Sequence, residues 1–230
     1  MENFSNLKVT QIAKANKITW VTSWYDSLHT DGIRRNISMA MIFGQPGEEW
    51  GDQRLYQVLQ KLPDDFHIYA QPLLVYKDQR RHPDYVLIHK KAGVIVLEVK
   101  DWVSIIQVDS KSAMVQRRSV DVPEKETSPV DQARKSATIL ANMLKEDEDL
   151  RGYAGKLDFP YRYAGVLPHM PKSVVSKLVK VWGDTFVFGR DDLNPEVLAK
   201  KLLNISIPYQ YTKEMSNKQI RAVCAIINKE

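Results

Sequence analysis

Apolar residues recur along this chain in two rhythms. Leu55, Val58, Leu59 and Leu62 are spaced three and four apart, which predicts a helix with one buried stripe, bracketed by Gly47 and Pro63. FHIYAQPLLVY, residues 66–76, is rich in β-branched and aromatic side chains and reads as a strand broken near Pro72. PDYVLIHKKAGVIVLEVKDW then predicts a strand over about 84–89, a tight turn, and a strand over about 94–100. Gly93 suits the positive φ that such a turn requires. IIQVD and MVQRRSV form a further hairpin across SKSA. SPVDQARKSATILANMLKEDED predicts a long helix, with Ser128 as N-cap and Pro129 at its first position. After it, YRYAGVLP reads as a strand, PKSVVSKLVKVW as a short helix and TFVFG as a strand. NPEVLAKKLLNI is a capped helix and EMSNKQIRAVCAIINKE a terminal one.

This order gives an α/β (α+β) fold: a central mixed β-sheet flanked by helices around a single core. Residues 46–208 carry the readable pattern, residues 209–230 the terminal helix. Residues 1–45 are set apart as an N-terminal extension, in which ITWVTSWY (18–25) reads as a strand or a short helix. With 230 residues, 43% of them hydrophobic, the chain can bury one substantial core. No apolar run approaches the roughly 20 residues that span a bilayer, so no membrane association is expected. The N-terminus lacks the basic and apolar segments of a signal peptide. A lone cysteine, Cys224, excludes an intrachain disulfide and a zinc site built on several thiolates. The expectation is a soluble protein of a reducing cytoplasm.

The chemistry-bearing residues gather at one end of the central hairpin. Glu98 and Lys100, two apart on a strand, point to the same face. A three-residue turn would pair residue 89 with 93 and set Asp84 opposite Glu98, at about 5 Å between carbons. VIVLEV is nearly continuous apolar sequence, as in an interior strand covered on both faces. Charges at the end of such a strand are costly unless they are paired or bind something. Two carboxylates suit Mg²⁺ or Mn²⁺, whose remaining positions water and phosphate oxygens fill. An ammonium beside them can orient an attacking water. The plainer reading is a solvated Glu98–Lys100 pair with Asp84 at a strand start.

The stretch PDYVLIHKKAGVIVLEVKDW resembles the core hairpin of the nuclease-related (NERD) domain of the PD-(D/E)xK phosphodiesterase superfamily, with Pro83–Asp84 as its proline-aspartate and Glu98-Val99-Lys100 as its E-x-K. GEEWGDQRLYQVLQKLPDDFHIY is similar to the family's opening helix and strand, and SPVDQARKSATIL to its glutamine-bearing helix. Weaker similarity runs through YAGVLPHMP and FVFGRDDLNPEVLAKKL, so that about residues 45–205 are covered. The resemblance implies a restriction-endonuclease-like core and metal-dependent DNA cleavage, with Asp84, Glu98 and Lys100 catalytic and Asp84 and Glu98 holding the metal. It further implies an acid on the first helix that assists the metal. Asp52 fits best, an aspartate where glutamate is usual. Glu48, placed one turn earlier on the same face, is the substitute, and Glu49 the third candidate. Gln132 matches the helix glutamine that places water or substrate; the aromatic four residues later is Ser136 here.

Charge adds direction. Lys and Arg number 33 against 28 Asp and Glu, a net +5, compatible with a polyanionic partner. Lys77, Arg80, Arg81, Lys90 and Lys91 flank the hairpin and are candidate phosphate contacts. Trp102, at the strand's exit, either stacks on a base or packs the hairpin. The five histidines show no ligand spacing, and neither a Walker A loop nor a G-x-S-x-G elbow occurs. KEDEDLR reads as a solvated helix end. MSNKQIRAVCAIIN resembles the entry segment of superfamily 1 helicases, which suggests a helicase partner in cis or trans. The expected partner is nucleic acid, DNA before RNA. The alternative function is a non-catalytic nucleic-acid-binding or helicase-interaction module that keeps the fold.

Overall fold

The structure, a computed structural model, describes residues 39–118, 120, 122–182, 187–206 and 214–228. Residues 18–25, read as a strand or short helix, lie outside the described residues.

The broken strand of residues 66–76 is two strands, β2 (Phe66–Ala70) and β3 (Leu74–Tyr76). Gln71, at the break, has φ 48. β3 pairs only with β4 (Gln79–Arg81), as a two-stranded ribbon. The predicted hairpin is β5 (Tyr85–His89) and β6 (Gly93–Val99), joined through the three residues 90–92. Gly93 has φ +74 there, and a Cβ on it would run into the Pro160 carbonyl. His89, buried, closes the turn. Its Nδ1 accepts the backbone N–H of Lys91 (3.0 Å) and of Ala92 (3.2 Å), and its Nε2 donates to Asp65 at 2.8 Å.

The main sheet has six strands in the order β1-β2-β5-β6-β10-β11, where β1 is Met41–Phe43, β10 Tyr161–Leu167 and β11 Val187–Gly189. β2, β5 and β6 pair antiparallel; β1 on β2, and β10 and β11 beyond β6, pair parallel. The sheet is therefore mixed, as expected. β1 draws Met41–Phe43 into it, although those residues fall within the segment set apart as an extension.

Alternation along the strands sorts the core into two layers. Ile68, Tyr85, Leu87, Ile95, Leu97 and Val99 pack with Leu55, Val58 and Leu59 of α1 (Trp50–Leu59). Val86, Ile88, Val94 and Val96 turn to the other face, against Ala133, Ala137 and Leu140 of α2 (Pro129–Leu144). Helix α3 (Lys172–Trp182) packs by β11, and α4 (Pro195–Leu203) joins the α1 face, its Asn194 cap accepting from Glu196 and Val197 N–H. Terminal α5 (Asn217–Ile227) buries Ile220, Val223 and Ile227 on the α2 face, so it is part of this core. Ser128 stands at the α2 N-cap, as predicted, but its side chain makes no capping bond. The second hairpin, β7 (Trp102–Val108) with β8 (Ser112–Arg117), gains an unforeseen third strand, β9 (Glu124–Thr127). EKET is polar throughout, so neither period nor apolar content signals a strand there.

Candidate active site

Tyr85 pairs with Leu97 and His89 with Gly93, so Asp84, one residue before β5, falls opposite Glu98. Val86, Ile88, Val94 and Val96 face α2, and alternation carries Asp84, Glu98 and Lys100 to that same face. Asp84 Oδ2 accepts the Val99 backbone N–H at 2.6 Å. Lys100 extends the parallel pairing by donating its backbone N–H to Val166 (2.9 Å), and its Nζ lies 3.2 Å from Glu98 Oε1. Burial, and then the neighbouring Glu98 charge, push the Asp84 carboxyl up to about 7; Asp52 adds to this, and the Val99 N–H and Lys100 oppose it. Glu98 is likewise raised, by burial first, with Lys100 working against the rise and Asp52 adding to it. The site holds more buried negative charge than one lysine offsets.

Asp52 supplies the third carboxylate, from the first turn of α1. It is 5% exposed, which rules out the plain solvated first-turn acid. Its Oδ2 accepts from the Gly47 N–H and, at 3.4 Å, from Gln71 Nε2, while Oδ1 is buried with no hydrogen-bond partner. Buried Tyr85 donates to the Asp52 carbonyl (3.2 Å), fixing this turn of α1 against the sheet. Glu48 and Glu49 sit differently. The helix starts at Trp50 with Glu49 as its N-cap residue, so Glu48 precedes the helix and is exposed. The expectation that it lies one turn earlier on the Asp52 face is corrected: no helical turn exists there to carry it. Glu49 turns to Arg117 instead, at 3.6 Å.

Gln132 lies half-buried on the first turn of α2. That turn is set over the sheet beside Glu98 by Gly165, the β10 partner of Glu98, where a Cβ would come within 2.8 Å of Pro129 Cγ. Ser136, where the family carries an aromatic, is buried.

The basic residues separate. Lys90 and Lys91 occupy the β5–β6 turn, at the other end of the hairpin from Asp84 and Glu98, about 17 Å away at ~3.3 Å per strand residue. Both pair with Glu214 there, at 3.2 and 4.0 Å, away from the carboxylates. Lys77 is at the tip of the β3–β4 ribbon, where neighbouring Tyr76 reaches Glu146 beyond the C-terminal end of α2 (3.1 Å). A cavity of about 640 Å³ opens at that end, lined by Tyr76, Lys77, Met143 and Glu146, away from the carboxylates. Arg80 and Arg81 are exposed on β4, with Arg81 three residues before Asp84. Trp102 is wholly buried, edge-on to Trp182, which corrects its reading as a base-stacking ring and leaves the packing role. Its apolar neighbours, among them Val115 and Leu167, enclose it.

Other residues at this end of the sheet carry no signal of their own in the sequence. Asp101 Oδ1 accepts the Gly51 N–H (2.8 Å) and meets His169 Nε2 at 2.7 Å. Arg117 grips Glu126 of β9 at 2.5 Å. Against the upward push of burial, Arg117 and the Trp102 indole hold the Glu126 carboxyl below its ordinary range, with Lys100 contributing. Only the third strand of the meander brings Glu126 here.

A divalent cation suits the donor set. The oxygens are hard, the Asp84 and Glu98 carboxyls are both raised by burial, Asp84 further by the Glu98 charge and both by Asp52, and Asp52 Oδ1 lacks a partner. Among the described residues no three acidic, histidine or cysteine side chains stand together at chelating separation. Asp84 and Glu98 are thus the pair that would hold an ion, with water and phosphate completing its shell.

A mixed sheet flanked by helices, with paired carboxylates and a lysine at adjoining strand ends, defines a nuclease-like α/β protein. The nuclease-related domain (NERD) family matches residues 44–166, more than half of the chain, and the chain belongs to that family, whose general kind is the PD-(D/E)xK phosphodiesterases. Neither a curated protein nor a solved structure matches the chain. The family is nuclease-related; domains of this kind generally imply use of a divalent metal and suggest interaction with nucleic acid. Among the described residues no helix is long and apolar enough to cross a membrane.

Proposed function

We propose that this chain is a Mg²⁺- or Mn²⁺-dependent nuclease that hydrolyses phosphodiester bonds of DNA, in DNA processing or defence against foreign DNA. The observation that carries this reading is the Asp84–Glu98 juxtaposition, with Lys100 on the same face and the Asp84 carboxyl pushed up by burial and by the Glu98 charge. Asp84 and Glu98 hold the ion, and Asp52 adds charge from α1. When bound, the ion supplies Lewis acidity toward the phosphate and lowers the pKa of water. Lys100 orients the attacking water and offsets charge as it develops on the phosphate. Gln132, on the turn of α2 beside Glu98, places water or substrate. Arg80 and Arg81 supply phosphate contacts on the β4 side.

A helicase partner would have to meet the outer side of α5, because its apolar face is already spent in the core. The test of function is cleavage of linear, circular and single-stranded DNA, and of RNA, with Mg²⁺, Mn²⁺ or EDTA. Cleavage of DNA that EDTA abolishes is expected. Metal-independent binding with no cleavage of any substrate would leave the non-catalytic module as the function.

A further inference from the structure

On the same first turn of α1 as Asp52 stands an aromatic platform that the reaction, as assigned, does not use. Trp50 keeps 44% of its surface exposed, although its ring stacks on His169 at 4.5 Å between centroids and 22° between planes. Arg118, also exposed, sets its guanidinium 5.6 Å from the Trp50 ring centroid. The ring rests on a partner that is itself held. His169 is held by Asp101 at 2.7 Å, Asp101 also takes the Gly51 N–H at 2.8 Å, and both side chains are close to nine-tenths buried. Gly51 is itself confined: a Cβ there would sit 2.6 Å from Asp101 Oδ1 and 3.1 Å from Pro168 Cγ. The backbone next to Trp50 is thus clamped to the exit of β6 and the end of β10.

The platform's position is specific. Elements that build it run close in sequence to residues of the carboxylate site. Trp50 is two residues before Asp52 on α1, and Asp101 directly follows Lys100. Arg118 directly follows Arg117, which grips the Glu126 that lies within electrostatic reach of Lys100. An aromatic ring stacked on a held imidazole, with the guanidinium of an exposed arginine over it, has the composition that takes an unpaired base and its phosphate once that guanidinium swings from the ring to the phosphate. The ring stacks, the cation neutralises, and neither reads base identity.

Resting on the nuclease reading and naming its substrate, we propose that Trp50, with Arg118, binds an unpaired nucleotide next to the scissile phosphate, so that the site acts on single-stranded segments or frayed ends. A continuous duplex keeps its bases stacked inside and offers the ring nothing.

The test is fluorescence anisotropy in EDTA with a labelled oligothymidine and a labelled blunt hairpin duplex, run on the full chain. Trp50→Ala should lower the ratio of single-strand to duplex affinity about tenfold, as loss of one base–aromatic stack does. Trp50→Phe should restore most of it, and Arg118→Ala should lower single-strand affinity with a shallower salt dependence. An unchanged ratio in Trp50→Ala, or an equal fall on both probes, overturns the proposal. Cleavage separates the two readings. If wild type and Trp50→Ala cut a single strand alike, the platform fails and the nuclease stands. If wild type neither binds nor cuts any probe, both fail.

Discussion

Asp84 reaches across the β5–β6 hairpin to accept the Val99 backbone N–H at 2.6 Å, which holds its carboxylate beside Glu98 although the two repel. The bond fixes Asp84 where two charges are costly together and where a cation relieves them. That coupling makes the metal-free protein sensitive to pH. The folded carboxyl titrates at about 7 and an unfolded aspartate near ~3.9. Between these values the folded state holds the extra proton, so the contribution of Asp84 to stability is full below about 4 and is lost as pH rises through about 7. Melting curves in EDTA from pH 4 to 8 should show this fall, and Asp84→Asn should flatten it. Equal slopes in the two proteins would mean that Asp84 is not the group responsible.

Lys100→Ala separates chemistry from metal binding. Cleavage should drop by about 10²–10⁴, the usual range for a positioned acid–base group, while Mn²⁺ affinity measured by calorimetry stays near wild type. An ammonium does not ligate the ion, so a large loss of Mn²⁺ binding would assign Lys100 to holding the carboxylates in place.

Asp52 and Glu48 should differ in their effect on metal binding. Asp52→Asn removes a buried charge that acts on both Asp84 and Glu98, and should weaken Mn²⁺ binding several-fold. Glu48→Ala removes an exposed side chain ahead of the helix and should change it less than about twofold. A larger effect of Glu48 would show that the segment before α1 folds over the site when metal binds.

Salt titrations should sort the basic residues. Arg80→Ala and Arg81→Ala should each reduce the slope of log affinity against log salt by about one phosphate contact. Lys90→Ala with Lys91→Ala should leave it unchanged, because both lie at the far turn and pair with Glu214. A reduced slope in that double variant would place the nucleic acid along the whole hairpin.

Local pattern determined a great deal here. Helical spacing marked α1 and α2, short apolar runs bounded by a turn marked β5 and β6, and the three-residue turn set Asp84 against Glu98. Each of these follows from backbone geometry within some twenty residues, so the chain's own order suffices. What only the tertiary structure decided depends on elements distant in sequence. Lys90 and Glu98 are eight residues apart, yet a strand's length puts them at opposite ends of the sheet. Trp102 looks exposed at a strand exit until Trp182 and the β7–β8–β9 meander close over it. Asp101 and His169 meet across 68 residues, and Arg117 is joined to Glu126 by a strand with no apolar signal. Periodicity records which face a residue takes on its own element. Which charges, rings and helix ends then share one edge is set by how the layers pack, and that is where the Trp50 platform and the buried Asp52 carboxylate came into view.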